Sequence, residues 1–352
     1  MRIVSIVGAR PQFVKLAALH WALDGIHEHL VIHTGQHYDH GMSDVFFDEF
    51  HLPLPNLNLG IGSGPHGVQT AKMIIGIEAY LLEVQPDWVL AYGDTNSTIA
   101  GALAAAKIGI PIAHVEAGLR SGDRSMPEEV NRILTDHASE LCLAPTEQAM
   151  RNLQQEGLAD RSRLVGDVMV DVLRRTEQAV ELNPPKLPWD PKLPYIIATL
   201  HRQALMESKE KLSEVIVTMG LCGLPVLLVA HPRLSLALEH FGLLTRLPRN
   251  VLLSEPLSNH QMVYAVKSAQ GVITDSGGLQ KEAFLLQTPC LTVRETTEWP
   301  ETLEDGWNRL IWENPGEAVT SDWLQRPARR PPGAFGGGHA ADIILGLIEG
   351  SP

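Results

Sequence analysis

The sequence has few cysteines, and they lie far apart. Cys142, Cys222 and Cys290 are the only three in 352 residues, and no two of them form a CxxC pair. An odd, sparse set argues against a disulfide framework and against a thiolate metal site, and it is typical of a reducing compartment. We therefore expect a cytoplasmic protein without structural disulfides.

Long apolar runs and an excess of positive charge are also missing. No apolar stretch approaches the roughly 20 residues that a membrane-spanning helix needs, and the opening run IVSIVGARPQF is too short for a signal peptide. The formal net charge of −13 argues against a wide surface for nucleic acid or anionic membrane. We expect neither partner. An anionic small ligand would have to be bound by local arginines, lysines and helix N-termini.

What the sequence does contain is a regular alternation of short apolar runs and helical patterns, which predicts α/β architecture with doubly wound parallel sheets. The predicted strands are 3–7, 30–34, 88–92, 112–116, 141–143, 195–199, 226–230, 251–253, 271–274 and 290–293. Helices are predicted over 12–23, 66–83, 97–107, 128–138 and 146–155 in the first half. The proline-rich stretch LNPPKLPWDPKLP predicts a connector, so we expect domains at 1–182 and 183–337 and a final helix within 338–352.

Polar clusters follow the predicted strands, where open parallel sheets bind their ligands. In VGARPQFVK, Arg10 and Lys15 flank a helix start that could bind an anion, although an ordinary strand–helix turn is the alternative. In YGDTNST, Asp94 ends a strand and is either functional or a helix cap. These two stretches alone do not decide between the alternatives.

The stretch HVEAGLRSGDRSMPEEVNR is the richest in acids and bases. Glu116 ends a buried strand, so its carboxylate should be poorly solvated, and pairs of acids in contrasting environments suit proton transfer. Glu128 and Glu129 begin a helix, where the dipole favours acids, and for Glu129 we prefer that simpler interpretation. We expect Arg120 and Arg124 to balance these acids without a metal.

The second half has its own cluster at strand ends. His201 follows the first strand of the predicted second domain, and a structural histidine is the alternative. In ITDSGGLQKEA, Ser276, Gly277 and Gly278 start a helix whose free amides could hold a phosphate or diphosphate. Glu282, one turn further on, could accept hydrogen bonds from ribose hydroxyls. A glycine-rich cap without a ligand is the alternative.

A group of histidines raises the question of a metal. Its spacing is irregular, it spans a strand and a loop, and no HExxH motif is present, so we predict no metal site. The histidines concerned are His27, His29, His33, His37 and His40.

Taken in order, VGARPQFVK, HTGQHYD, YGDTNST, HVEAGLRSGD, PEEVNR, LVGDVMVD, TDSGGLQKEA and TTEWPET resemble the motifs of the non-hydrolysing UDP-N-acetylglucosamine 2-epimerases over nearly the whole chain. The resemblance implies a GT-B type fold, with two Rossmann-like domains facing a cleft, and a homodimer that needs neither NAD nor metal. It implies that a base removes the C2 proton of the sugar while UDP leaves, giving 2-acetamidoglucal. Re-addition of UDP, with protonation of the other face, gives UDP-N-acetylmannosamine.

The resemblance also implies roles for single residues. Asp94, Glu116 and Glu128 would be the acid–base carboxylates, without a decision on which one removes the C2 proton, and His201 would assist the leaving diphosphate. The substrate-binding residues would be Arg10, Lys15, Arg202, Ser276, Gly277, Gly278 and Glu282.

The chain departs from the family pattern at several positions. Ala204 and Leu205 replace the usual Glu-Asn after His-Arg, and Trp299 stands where many members have an arginine near the nucleotide. Gln36 and Gln69 match a second, activating UDP-GlcNAc site of many bacterial members, but Asp39 and Val68 do not. The stretch GIGSGPHGVQT is more similar to the branch that includes 2-epimerases of UDP-2,3-diacetamido-glucuronate.

Three functions therefore remain as hypotheses from the sequence. The first is the 2-epimerase, acting on UDP-GlcNAc or on a related UDP-sugar. The second is a GT-B glycosyltransferase, which would need an acceptor. The third is a nucleotide-sugar-binding protein that has lost catalysis.

Overall fold

The computed structural model describes residues 1–36, 47, 49–320, 322–328 and 333–350, with the backbone alone at Arg10. The chain divides into two units, which are Met1–Arg174 with Gly333–Pro352, and Arg175–Pro332. The division falls inside one helix, Val168–Leu182, a little before the connector that the prolines predicted.

Unit 1 is built on a parallel sheet of seven strands, in the order β3-β2-β1-β4-β5-β6-β7. The strands are β1 (Arg2–Val7), β2 (Glu28–His33), β3 (Leu57–Asn58), β4 (Trp88–Tyr92), β5 (Ile112–Val115), β6 (Leu141–Ala144) and β7 (Ser162–Leu164). The helices are α1 (Arg10–Leu23), α2 (His66–Val84), α3 (Asn96–Lys107), α4 (Pro127–Ala138), α5 (Glu147–Gln155), α6 (Val168–Leu182) and the terminal α12 (Ala340–Glu349).

Unit 2 has a parallel sheet of six strands, in the order β10-β9-β8-β11-β12-β13. The strands are β8 (Ile196–Leu200), β9 (Val226–Ala230), β10 (Val251–Ser254), β11 (Gly271–Thr274), β12 (Cys290–Thr292) and β13 (Asn308–Leu310). The helices are α7 (Gln203–Met206), α8 (Lys209–Gly220), α9 (Pro232–His240), α10 (Asn259–Ser268) and α11 (Gly277–Leu285).

Two parallel-sheet α/β units confirm the predicted fold class, and all ten predicted strands are present to within two residues at each end. Three further strands were not predicted. β3, β7 and β13 have only two or three residues and lie at sheet edges, so they lack the continuous apolar pattern of strands covered on both faces.

The core of unit 1 explains why its strands are apolar at nearly every position. Buried side chains of β1, β4 and β5 pack on α1 on one face and on α2 and α3 on the other. Helix α12 contributes Ile344 and Ile348 to the cluster that contains Leu16 and Leu19 of α1. The last segment of the chain is thus part of the first unit.

None of the helices among the described residues is long and apolar enough to cross a membrane. The three cysteines are all buried thiols. Burial raises the pKa of Cys142 to about 12 and that of Cys222 to about 11, so both thiols stay protonated near neutral pH.

His29 of unit 1 is hydrogen-bonded to Ser5 and lies next to His20, and we expect this arrangement to make the stability of the protein sensitive to acid. The Nε2 of His29 lies 2.8 Å from the Oγ of Ser5, and its Nδ1 lies 3.2 Å from the Nδ1 of His20. Burial, with a smaller contribution from His20, lowers the pKa of His29 to about 3. The His29 ring is therefore neutral in the folded protein near neutral pH.

Because the pKa of His29 is lower in the folded than in the unfolded chain, the unfolded chain binds more protons as the pH falls. The free energy of unfolding should fall below pH 6.5 by up to about 1.4 kcal/mol per pH unit toward pH 3. Urea denaturation at pH 6.5 and 5.5 would measure this, and His29→Gln should reduce the difference. The exposed control His51→Gln should leave it unchanged, and equal slopes in all three proteins would contradict the assignment.

Candidate active site

Lys15 and Glu116 form a buried ion pair at the carboxyl end of the unit 1 sheet. The Lys15 Nζ contacts the Glu116 Oε2, and both side chains are about nine-tenths buried. Burial acts to lower the pKa of Lys15, but its hydrogen bond to Glu116 and the attraction of Glu116, Asp94 and Asp167 raise it overall. Gly93 has a φ of 65°, a region that favours glycine, and a Cβ there would make a tight contact of 3.1 Å with that Nζ.

Glu116 has a backbone conformation that residues other than glycine rarely adopt. Its φ is 73°, in the left-handed region, which costs on the order of 1–3 kcal/mol and persists only where the surroundings fix it. His114, fully buried in the adjoining strand, contributes to that fixing. Its Nε2 lies 2.7 Å from the carbonyl oxygen of Gly93, and its Nδ1 lies 2.6 Å from the Asp136 carboxylate. Asp136 also accepts the amide of Gly118, at 3.1 Å.

Arg132 connects two of the acids that the sequence singled out. Its Nη2 lies 2.5 Å from Asp94 Oδ2 and its Nη1 lies 3.1 Å from Glu129 Oε2. Its side chain is only 10% exposed, so this guanidinium balances buried charge. Burial acts to lower the pKa of Arg132, but the attraction of Asp94 and the hydrogen bonds raise it overall.

Glu129 has a further role beyond its position in the first turn of α4. It is 2% exposed, and it accepts the amides of Ser121 and Gly122 as well as the Ser121 hydroxyl. Burial acts to raise its pKa, but these bonds and Arg132 lower it overall. Glu129 thereby anchors the loop before α4.

The predicted balancing by Arg120 and Arg124 is wrong. Arg120 pairs with Asp136 at 2.8 Å and with Glu156 at 2.7 Å, behind the turn that carries Glu116. Arg124 is exposed. The cations that pair with these acids are instead Lys15, which contacts Glu116, and Arg132, which contacts Asp94 and Glu129.

The start of α1 is closed by hydrogen bonds within the protein. The amides of Gly8 and Ala9 both donate to the Oε1 of Gln12, at 2.8 and 2.9 Å. The side-chain Nε2 of Gln12 donates to the carbonyl of Tyr92. The amides of Gly8 and Ala9 are therefore bonded within the protein. The side chain of Arg10 lies outside the described residues.

Unit 1 contains a cavity of about 190 Å³. Asp94 and Glu128 line it, and so do Gln36, His66, Asn96 and Asn131. Thr95, rather than Asp94, caps α3 with its side chain, which leaves the Asp94 carboxylate to Arg132 and the cavity.

The two glutamines predicted for a second site have partners inside the protein. Gln36 Oε1 accepts from the hydroxyl and the amide of Ser97, at 2.7 and 3.2 Å. Gln69 is 7% exposed and bonds to Gly62 and Asn96. Val68 is exposed on α2, and Asp39 lies outside the described residues.

In unit 2, Asp275 organises the strand-end loop that carries His201. One Asp275 oxygen accepts the amides of both His201 and Arg202 at 2.8 Å, and the other lies 3.1 Å from the His201 Nδ1. The Arg202 Nε donates to the Asp275 carbonyl at 3.0 Å. Because Nδ1 faces Asp275, the Nε2 of this 42% exposed ring is directed away from it.

The helix start predicted to hold phosphate is α11, which Ser276 caps by accepting the amide of Leu279. The first amides of a helix have no acceptor within the helix. A Cβ at Gly278 would meet only the Ser276 hydroxyl, at 3.9 Å, so this side of the turn is open. A Cβ at Gly277 would lie 2.2 Å from Oε1 of Glu298, so any larger residue there would displace that carboxylate.

Glu298 brings two arginines to this helix start. Arg294 lies 2.6 Å from its carboxylate, and Arg202 lies 4.0 Å away. Burial acts to raise the pKa of Glu298, but Arg294 lowers it overall. The cluster thus carries two cations and one anion.

Two of the departures from the family pattern, Trp299 and Leu205, are buried side chains of unit 2. Trp299 is 5% exposed, and the Nζ of Lys281 lies 4.0 Å from its ring centroid, a cation–π contact. Leu205 is 1% exposed in the core of unit 2. Glu282 is partly buried on α11, one turn beyond the glycines.

Among the described residues, no group of three or more histidines, cysteines or acids is arranged to hold a metal. The three described members of the histidine group have separate environments. His27 pairs with Glu349, His29 bonds to Ser5, and His33 accepts the amide of Gly35. His37 and His40 lie outside the described residues.

The sequence interpretation missed Arg132, His114, Asp136 and Glu298. One signal was available for Arg132, because it follows Glu129 by three residues and so shares its helix face. No local signal marks His114 and Asp136, which pair across 22 residues, whereas Glu298 has a partner four residues earlier, Arg294.

Comparison with known proteins identifies the family of the chain. A profile of the family described as UDP-N-acetylglucosamine 2-epimerase matches residues 22–349. A UDP-N-acetylglucosamine 2-epimerase homolog of Methanococcus maripaludis is 48% identical over 355 residues, which cover 99% of each chain. The UDP-2,3-diacetamido-2,3-dideoxy-D-glucuronate 2-epimerase of Pseudomonas aeruginosa is 38% identical over 364 residues, which cover 98% of each chain.

A solved structure extends the comparison to the fold. The crystal structure of Methanocaldococcus jannaschii UDP-GlcNAc 2-epimerase, in complex with UDP-GlcNAc and UDP, matches with a TM-score of 0.88 and 37% identity, covering 100% of both chains. The architecture is therefore of the GT-B type. The chain belongs to the UDP-N-acetylglucosamine 2-epimerase family.

Proposed function

We propose that the chain is a UDP-N-acetylglucosamine 2-epimerase, an isomerase that interconverts UDP-GlcNAc and UDP-N-acetylmannosamine. The proposal rests on three carboxylates of unit 1 with distinct environments, of which Asp94 and Glu116 follow strands and Glu128 lies in the first turn of α4. Glu116 is paired with Lys15, Asp94 is paired with Arg132, and Glu128 is exposed at the cavity that Asp94 also lines. Family membership supports the same activity.

The chemistry needs a base and an acid near C2 of the sugar. One carboxylate takes the C2 proton while the bond between C1 and the UDP oxygen breaks, which leaves 2-acetamidoglucal and UDP. A proton is then delivered to the other face of C2 as the UDP oxygen re-forms its bond to C1. General acid–base groups contribute roughly 10²–10⁴-fold to such steps. Asp94, Glu116 and Glu128 are proposed for these roles, and Lys15 acts through Glu116.

The leaving group needs a different environment, because negative charge develops on the diphosphate as C1–O breaks. Donors preorganised around that charge lower the barrier. Unit 2 offers His201 Nε2, Arg202 and the start of α11 at Ser276, Gly277 and Gly278. We propose that these groups bind the diphosphate and that Glu282 accepts from the ribose.

The proposal is tested by incubating the purified protein with UDP-GlcNAc alone and following the sugar signals by NMR. We expect UDP-N-acetylmannosamine to accumulate without any acceptor and without metal. A glycosyltransferase would leave UDP-GlcNAc intact under these conditions, and a hydrolysing enzyme would release free N-acetylmannosamine and UDP. UDP-2,3-diacetamido-glucuronate is offered in parallel, and a higher kcat/KM for it would contradict UDP-GlcNAc as the substrate.

We also propose that the protein acts as a homodimer in the cytoplasm. Buried, protonated thiols support a reducing compartment. A surface for self-association is available on α2, where Val68, Ile75 and Leu82 are exposed at seven-residue spacing and thus share one helix face. Exposed aliphatic stripes of this kind are typical of protein interfaces.

Ile75→Glu should therefore convert a dimer to a monomer, because it places a charge at the centre of the α2 stripe, where Ile75 is 70% exposed. Sedimentation velocity at micromolar concentration measures the change. Leu236→Glu is the matched control, since Leu236 is 66% exposed on α9 of unit 2. A monomeric wild-type protein, or a dimer in the Ile75→Glu variant, would exclude this surface.

A further inference from the structure

His66 lies in the stretch GIGSGPHGVQT and in the candidate active site, but neither the resemblance nor the proposed acid–base chemistry assigns it a role. It is the first residue of α2 and is exposed. It lines the cavity that also contains Asp94 and Glu128. Its ring is therefore within the space proposed for the reacting part of the sugar.

A chain of hydrogen bonds fixes which ring nitrogen of His66 carries the proton. Gln69 Nε2 donates to the carbonyl of Gly62 at 2.9 Å, so the Gln69 Oε1 must be the atom that faces Asn96. The Asn96 Nδ2 donates to that Oε1 at 2.8 Å and contacts the His66 Nδ1 at 3.0 Å. An amide nitrogen can only donate, so the His66 Nδ1 accepts.

The Asn96 orientation is supported from its other end as well. Its Oδ1 accepts from Asn131 Nδ2 at 3.3 Å, and the same Asn131 group donates to the carbonyl of Asp94 at 2.9 Å. In a neutral imidazole one nitrogen accepts and the other carries the hydrogen. With Nδ1 as the acceptor, His66 offers Nε2–H as a donor.

We propose that His66 is a substrate-recognition residue, whose Nε2–H donates to an acceptor oxygen next to C2 of the UDP-sugar. This inference rests on the proposed epimerase function. Two oxygens have the required chemistry, the carbonyl of the 2-acetamido group and the oxygen on C3. Both flank the carbon whose proton Asp94, Glu116 or Glu128 would move, so the donor would hold that carbon against the carboxylates.

Two conservative variants separate recognition from a structural role. His66→Gln keeps an N–H near the position of Nε2 but loses the ring acceptor for Asn96. His66→Asn keeps an oxygen acceptor near the position of Nδ1 but loses the donor. If the donor recognises substrate, kcat/KM for UDP-GlcNAc should fall about tenfold in His66→Asn, the value of one neutral hydrogen bond, and His66→Gln should retain most of it.

The reverse order, with His66→Asn active and His66→Gln impaired, would mean that the ring only supports Asn96 and would overturn the proposal. Equal losses, or no loss in either variant, would overturn it too. Binding gives an independent readout. His66→Asn should weaken UDP-GlcNAc binding while the Kd for UDP stays unchanged, and equal weakening of both ligands would again point to a structural role.

UDP-glucose distinguishes the two acceptor oxygens, because it has the C3 oxygen but no acetamido group. If the donor contacts the acetamido carbonyl, UDP-glucose should bind equally to the wild type and to His66→Asn. If it contacts the C3 oxygen, UDP-glucose binding should also weaken. These measurements do not require turnover, so a wild-type protein that fails to epimerise would refute the proposed function and still report on His66.

Discussion

Replacing Glu116 with Gln should reduce the epimerisation rate by roughly 10²–10⁴-fold, the contribution of a general acid–base group. The substitution keeps the shape of the side chain and can still accept a hydrogen bond from Lys15, but it cannot exchange a proton. The affinity for UDP should change little, because Glu116 is proposed to act at C2 of the sugar. Kinetics by NMR and a titration with UDP measure the two effects separately.

The control for Glu116→Gln is Glu140→Gln, an exposed carboxylate at the start of β6 that should leave the rate unchanged. A Glu116→Gln protein that epimerises at the wild-type rate would remove Glu116 from the mechanism. A parallel loss of UDP affinity would instead indicate a disturbed fold, which circular dichroism and the melting temperature would reveal.

Replacing Arg132 with Met should lower the free energy of unfolding by about 3–5 kcal/mol, because it leaves the buried Glu129 carboxylate without its cation. Glu129 is 2% exposed, so the loss of its partner is costly even though Ser121 and Gly122 still donate to it. Activity should fall as well, since Asp94 loses the group 2.5 Å away that holds its carboxylate. Urea denaturation provides the measurement.

A double-mutant cycle identifies the cause of the Arg132 effect. Glu129→Gln with Arg132→Met should cost less than the sum of the single changes, because the remaining buried charge has been removed. Arg151→Met, on the exposed face of α5, is the control and should change stability by less than about 0.5 kcal/mol. Strict additivity of Glu129→Gln and Arg132→Met would show that the two side chains act independently.

The fold could be predicted from the sequence because parallel strands covered on both faces are apolar at almost every position. β4, for example, was predicted at its exact bounds from WVLAY. The edge strands could not be predicted, since a strand such as Asn308–Leu310 is short and only partly covered.

The site was predictable in its positions but not in its pairings. Asp94, Glu116 and His201 follow strands, and the rule that ligands bind at the carboxyl ends of parallel strands locates all of them. The ion-pair partners of these residues could not be predicted in the same way. Lys15 and Glu116 are 101 residues apart in sequence, and Asp94 and Arg132 are 38 apart. Such pairs depend on strand order and register, which local patterns do not encode.

The backbone conformation of single residues could not be predicted from the sequence either. The left-handed backbone of Glu116 is unusual for a glutamate, and its neighbours His114 and Gly118 both bond to Asp136, about 20 residues further along the chain. The same holds for Gly277, since the Glu298 carboxylate that a Cβ there would meet at 2.2 Å lies 21 residues further along the chain.

We propose that this site removes and returns the C2 proton of a UDP-sugar. The decisive measurement is incubation with UDP-GlcNAc in deuterated water, without an acceptor, followed by mass spectrometry and NMR. Deuterium should enter at C2 of UDP-GlcNAc and UDP-N-acetylmannosamine, and Glu116→Gln should prevent it. A wild-type protein that binds UDP-GlcNAc and introduces no deuterium at C2 would refute the proposed proton transfer.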